Sequence, residues 1–261
     1  MSGRAPTVGL QRGWARTPGH GACRYGSSVT LVLLIRHGRT TANASGILAG
    51  RMPGVELDER GREQAAALAK RIAGIPLAAV VSSPLERTRQ TAEALLADRV
   101  DVPLHLEPDL SECDYGDWSG KELKTLAKEQ LWKVVQAHPA AAAFPGGESM
   151  AAMSARAIAA VRRWNETLGA EAVYAVVTHG DLIKAIAADA LGMHLDLFQR
   201  IQADPCSVTA INYTPGRPFM LRLNDTGGDV AALIPPKRSS GRRKRSAGSA
   251  DAAVGGGAGA A

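Results

Sequence analysis

The sequence predicts an α/β domain, and three observations carry that expectation. Leu31 to Ile35 are five aliphatic residues in a row, too few for a helix and rich enough in branched side chains to be a strand buried on both faces. Ala172 to Val177 repeats the theme towards the other end of the chain. Each run leads at once into a polar histidine-glycine step, Arg36-His37-Gly38 in one case and Thr178-His179-Gly180 in the other, and helical patterns fill the chain around them. In open α/β sheets ligands sit beyond the carboxyl ends of the strands, so both steps fall where such a fold places its chemistry.

Taken in order, the first strand delivers Arg36, a planar cation with several N–H donors, His37, an imidazole that is nucleophilic near neutral pH, and Gly38, a backbone without a Cβ. That is equipment for an anion, although alone it reads equally as a strand surfacing into a polar loop. Thr40 to Gly54 lacks a period and suits a loop over a site. Leu57 and Asp58 then supply a hydrophobic staple and an N-cap for a helix with Ala65, Leu68, Ala69 and Ile72 inward, ending near Gly74. Ala79 to Val81 is a short strand. Ser83, Pro84 and Glu86 spell a capping box with proline at the first helical position. Arg87 in the opening turns of that helix opposes the helix dipole at a cost of about 0.3–1 kcal/mol, which leaves two readings: a bound anion beside it, or a solvated surface arginine balanced by Glu86.

Leu104 to Leu106 is a further strand, followed by the acid- and aromatic-rich stretch Leu110 to Trp118, which contains Glu112, Cys113 and Tyr115. Ser119 and Glu122 spell a second capping box, opening a helix with Leu123, Leu126, Val134 and Val135 inward. Pro139 to Phe144 is a loop or short helix, and Pro145-Gly146-Gly147 a break. From Ser149 a longer helix places Met150, Met153, Ala157, Val161, Trp164 and Leu168 at core spacing. The Thr178-His179-Gly180-Asp181 step starts a helix through Ile183, Ile186, Ala187 and Leu191. Ser207 to Tyr213 alternates as a half-buried strand, and Thr214 to Pro218 turns it into a partner from Phe219 to Leu223.

The net charge of +6 belongs to the ends. Residues 1–28 carry four arginines and no acid, residues 235–261 six basic residues against Asp251, and the middle is therefore −3. The expected organisation is a disordered extension over 1–28, one domain over 29–234 and a disordered basic tail over 235–261. A valine codon can start translation in bacteria, so Val29 is a candidate start that would leave 1–28 untranslated. The tail, with Lys237, Arg238 and Arg242 to Arg245, suits a weak, salt-dependent polyanion contact and should be dispensable for catalysis. Cys23, Cys113 and Cys206 form no paired framework, which fits a reducing cytoplasm, and no apolar segment reaches the ~20 residues needed to cross a bilayer.

Arg36-His37-Gly38 with Thr40 and Asn43, the Ser83-Pro84 helix with Arg87, Glu112 before Tyr115-Gly116-Asp117-Trp118, Gly146-Gly147-Glu148-Ser149 and Thr178-His179-Gly180 together resemble the histidine phosphatase superfamily, in its phosphoglycerate mutase-like branch. The resemblance runs from about Thr30 to Asn224. It implies a three-layer α/β/α sandwich with a mostly parallel central sheet in a single domain, and a phosphohistidine intermediate. It also implies roles: His37 as nucleophile, Glu112 as proton donor, His179 in the catalytic group, and Arg36, Asn43, Arg87 and His179 around the phosphate. The substrate is then a small phosphate ester, hydrolysed with no metal and no cofactor. Arg39 departs from the acidic or amide residue common after His-Gly in that family, which leaves open what touches the far end of the substrate.

Three other readings compete. His37, His179, Asp181 and Glu112 could ligate a metal, but Arg36 and Arg87 in the same pocket would repel it. Cys113 could be a thiol nucleophile, but no glycine-rich phosphate loop follows it. A non-catalytic binding protein, using the basic tail for nucleic acid, would not need every catalytic side-chain type. Within the enzyme reading, a phosphomutase would share the pocket. Only Pro139 to Gly147 is available as an inserted cap, and that shortness favours a phosphatase.

Overall fold

Residues 29–228 are described by the structure, a computed structural model. The expectations for 1–28 and 235–261 lie outside the described residues. In chain order the elements are β1 (Thr30–Arg36), α1 (Thr41–Ser45), α2 (Glu59–Arg71), β2 (Ala79–Ser82), α3 (Glu86–Leu96), β3 (Leu104–Leu106), α4 (Leu123–Leu126), α5 (Gln130–Ala137), α6 (Met150–Leu168), β4 (Val173–Thr178), α7 (Gly180–Ala190), β5 (Val208–Tyr213) and β6 (Pro218–Asp225). The six strands form one sheet in the order β3-β2-β4-β1-β5-β6. β3, β2, β4 and β1 are mutually parallel, while β5 and β6 run antiparallel to their neighbours.

The period of two in the strands builds the layers. Val32 and Leu34 of β1 and Val176 of β4 face a core shared with Met153, Ala157 and Val161 of α6 and Ile183 and Ile186 of α7. Leu33, Ile35 and Val177 point the other way, onto Leu68 of α2 and Ala92 and Leu95 of α3. Burial on both faces is what made the central strands read as unbroken apolar runs. The expected single α/β domain with a mostly parallel sheet is therefore the observed one, with helices on both faces.

Several local readings differ. The stretch after His37 is not all loop: α1 forms there, with Thr40 as N-cap accepting from the Asn43 N–H while Asn43 Oδ1 accepts from the Thr40 N–H. Asp58 caps α2 as expected, accepting from Gly61 N at 2.7 Å. Ser83 does not cap α3; the N-cap is Leu85, without a side-chain bond. Glu86 instead accepts from Gly54 N at 3.0 Å, tying the loop before α2 to α3. The second expected box also fails: Ser119 closes a 3-10 turn, and α4 starts from Glu122 without a side-chain cap. The helix expected beyond it is broken into α4 and α5. On α6, Trp164 and Leu168 sit at the edge of the core, and Trp164 Nε1 donates to Glu107. Among the described residues no helix is long and apolar enough to cross a membrane.

Candidate active site

Parallel pairing of β1 with β4 puts Arg36 opposite Thr178, so the residues that follow, His37 and His179, emerge side by side. Their rings meet edge to face with centroids 5.2 Å apart. His37 Nδ1 lies 2.7 Å from the Gly38 carbonyl oxygen. A carbonyl only accepts, so the proton is on Nδ1 and the lone pair on Nε2. Burial, then Arg87 and Arg36, push the His37 imidazole well below its ordinary pKa, which keeps it uncharged at neutral pH. His179 is held low by burial, Arg87 and His37. Its Nε2 contacts Ser83 Oγ at 2.9 Å, while its buried Nδ1 has no hydrogen-bond partner and lies 4.0 Å from Glu112 Oε2.

The arginines complete the anion pocket. Arg36 is buried, with Nη1 donating to the Ala203 carbonyl at 2.8 Å. Arg87 is also buried, which removes the solvated-arginine reading of that residue. Its Nη2 donates to the Gly50 carbonyl at 2.7 Å, and its buried Nη1 has no hydrogen-bond partner. Glu112 is buried beside them, its Oε1 accepting from Cys113 N at 2.9 Å. Burial and the neighbouring Asp181 raise its carboxyl to about 7, against the opposing pull of Arg87, the Cys113 N–H and Arg36. Such a group gives up a proton readily yet holds one near neutrality. Asn43 is placed differently from the other site candidates: its Oδ1 serves the cap of α1, which leaves its amide NH₂ for any anion.

Two glycines let α2 come up against the loop that follows His37. A Cβ on Gly38 would sit 2.5 Å from the Gly61 oxygen, and one on Gly61 would sit 2.0 Å from the Arg39 oxygen. Both neighbours are backbone, so neither can swing aside. Gly61→Ala should therefore destabilise the fold by about 1–3 kcal/mol and lower turnover along with it, measured by thermal melts and steady-state rates; a variant with wild-type stability would contradict the packing.

Arg39, the departure from the family pattern, is tied to α2 and its cap: its Nε donates to Asp58 Oδ2 at 2.8 Å and its backbone N–H donates to Gln64 Oε1 at 3.0 Å. Cys113 is buried against Met150, and burial pushes its thiol far above the ordinary range, so it is a neighbour of Glu112 without nucleophilic character. Sequence reasoning missed three contributors. Ser83 had been assigned to a cap. Asp181, entertained only as a metal ligand, accepts from Tyr115 at 2.7 Å and pairs with buried Lys184. The link from Glu148 and Arg156 to the Glu112 turn had no local signal beyond the Gly146-Gly147-Glu148 motif. Among the described residues no group of three or more His, Cys, Asp or Glu is arranged to hold a metal ion.

This α/β domain gathers paired imidazoles at neighbouring strand ends, one buried guanidinium from a strand and another from a helix, and a protonatable carboxyl from a turn, which is the chemistry of a site that can hold an oxyanion. Residues 32–226 match the histidine phosphatase superfamily (branch 1), and the chain belongs to that family. It is 41% identical over 96 residues to adenosylcobalamin/alpha-ribazole phosphatase of Salmonella typhimurium, an alignment spanning 37% of this chain and 46% of that protein. The match thus covers about half the length of that relative. Among solved structures, Bacillus stearothermophilus YhfR superposes with a TM-score of 0.71 at 28% identity, covering 75% of this chain and 97% of that one. A phosphoserine phosphatase from Entamoeba histolytica, in complex with phosphoserine, gives 0.67 at 25% identity over 76% and 98% of the two chains.

Proposed function

We propose that the protein is a phosphomonoester hydrolase working through His37 without a metal. The observation that carries this reading is the pair of buried orphans, Arg87 Nη1 and His179 Nδ1, beside the bare Nε2 of His37. A buried polar atom without a partner costs about 1–3 kcal/mol; a phosphoryl oxygen would accept from Arg87 Nη1, and from His179 Nδ1 in the tautomer that carries its proton there. Its oxygens would lie among Arg36, Arg87, His179 and the Asn43 amide. His37 Nε2 attacks phosphorus, the bond from phosphorus to the ester oxygen breaks, and Glu112 passes its proton to the departing alkoxide. Water then attacks the phosphohistidine, the Glu112 carboxylate takes the water proton, and phosphate leaves with His37 restored.

Hydrolysis is favoured over mutase chemistry by the segment Pro139 to Gly147. That short stretch is all the chain offers as an inserted cap, and its Phe144 is buried with the ring against Tyr115 and Trp118. The substrate class is a small phosphate ester of the kind named for its relatives, an alpha-ribazole phosphate or phosphoserine. The test is rapid-quench trapping during turnover of a substrate panel compared by kcat/KM. An acid-labile, base-stable phosphoenzyme is expected, with phosphate released to water, no transfer to a second substrate molecule, and rates unchanged by EDTA. Activity that vanishes with the chelator would overturn the reading.

A further inference from the structure

The turn that carries Glu112 is clamped from outside the pocket. Arg156, on the second turn of α6, sends Nη1 to the carbonyl oxygens of Asp109 at 2.6 Å and Ser111 at 2.7 Å, and Nη2 to that of Glu112 at 3.1 Å. Its Nε and Nη2 also grip the two oxygens of Glu148 at 3.0 and 2.6 Å. Every N–H of that guanidinium is thereby used, in the planar fork that only arginine offers. Glu148 in turn accepts from Asp114 N at 2.8 Å and from Arg51 Nη2 at 2.9 Å. Arg51 Nε donates at 2.8 Å to the same Glu112 carbonyl that Arg156 holds. The backbone is thus pinned on both sides of Glu112. Burial would lift the Glu148 carboxyl, but Arg156, the Asp114 N–H and Arg51 hold it below its ordinary value, so it is an anion at neutral pH.

We propose that Arg156 and Glu148, joined by Arg51, are positioning residues that fix the proton-donating carboxyl of Glu112 against the leaving oxygen. None of the three is needed to hold the phosphoryl group. The clamp therefore acts through Glu112, on protonation of the departing alkoxide and on the activation of water that follows, and Arg51 couples it to the loop whose Gly50 carbonyl receives Arg87. This inference rests on the proton-donor role of Glu112 proposed above.

The test is a comparison of Arg156→Ala, Glu112→Gln and the double variant on phosphoserine and on p-nitrophenyl phosphate, whose phenolate leaves without a proton. A misplaced general acid costs on the order of 10²-fold in rate, so Arg156→Ala should lose about that in the single-turnover rate of phosphoenzyme formation from phosphoserine and little in that from the phenyl ester. In the Glu112→Gln background it should cost almost nothing more. Equal losses on both substrates, or losses that multiply in the double variant, would reduce the clamp to a stability element and overturn the inference while leaving the role of Glu112 intact. If Glu112→Gln itself shows no dependence on the leaving group, the donor role fails and the clamp falls with it. Should Arg156→Ala not fold, Arg156→Lys and Glu148→Gln are read by the same comparison.

Discussion

Replacing His37 with alanine should abolish turnover of every phosphate ester, by about 10⁶-fold, the scale on which a covalent catalyst suffers when its nucleophile is removed. Leaving-group quality should not rescue it, because in the proposed mechanism the lost atom is the one that attacks phosphorus. The variant should still fold: the ring's hydrogen bond to Gly38 is local, and the strand that carries it is held by its backbone pairing with β4 and β5. It should also still bind inorganic phosphate or vanadate through Arg36, Arg87 and His179. Residual turnover within a factor of about ten of wild type, on the scale set for a missing nucleophile, would show that another group attacks.

Replacing Glu112 with glutamine should separate substrates that the wild type treats alike. General acid catalysis contributes about 10²–10⁴ in rate when the departing oxygen is a poor leaving group and far less when it is a stable phenolate. Hydrolysis of an alkyl phosphate should fall by that amount while phosphoryl transfer from p-nitrophenyl phosphate is largely spared, and the phosphohistidine should accumulate because the same residue activates water. The pH profile carries a matching sign. Burial and Asp181 raise the Glu112 carboxyl to about 7, so the proton-donating form persists up to that pH and is lost above it. For an alkyl substrate the Glu112-dependent part of the rate should therefore decline as pH rises through about 7, and glutamine, which has no proton to lose, should remove that limb. On the acid side His37 imposes no limit until well below its ordinary pKa, because burial and the two arginines keep it neutral. A loss of phosphoryl transfer to the enzyme that is equal for both esters, or a limb that survives in the variant, would remove Glu112 from the proton-transfer role.

The sheet and the principal site cluster were legible because their determinants are local. A strand that is apolar on both faces must end in something polar, and at Arg36-His37 and Thr178-His179 the polar residues are the ones the structure brings together. Arg87 was legible as an anomaly, a cation where a helix dipole disfavours one, and its burial resolves the anomaly. What misled was spacing taken as geometry. Ser83, Pro84 and Glu86 fit a capping box, yet the Ser83 hydroxyl lies against His179 and the helix begins later, from Leu85. Asn43 divides its side chain, the carbonyl on the cap of α1 and the amide NH₂ left over, which spacing alone does not show. The hold of Arg156 on the Glu112 turn could not be read at all, since it consists of bonds to backbone carbonyls about forty-five positions away, and a carbonyl has no letter in a sequence.

The pairing of β1 with β4 has a consequence for how the chain acquires activity. His37 and His179 stand far apart in the chain, and the register Arg36↔Thr178 brings their rings together. A slip by one residue would displace one ring by ~3.3 Å along the strand and turn it to the opposite face of the sheet. The histidine pair cannot form before that long loop has closed, which is the slow kind of contact for a chain to make. Recovered activity on refolding is then a direct readout of correct strand registration at the centre of the sheet.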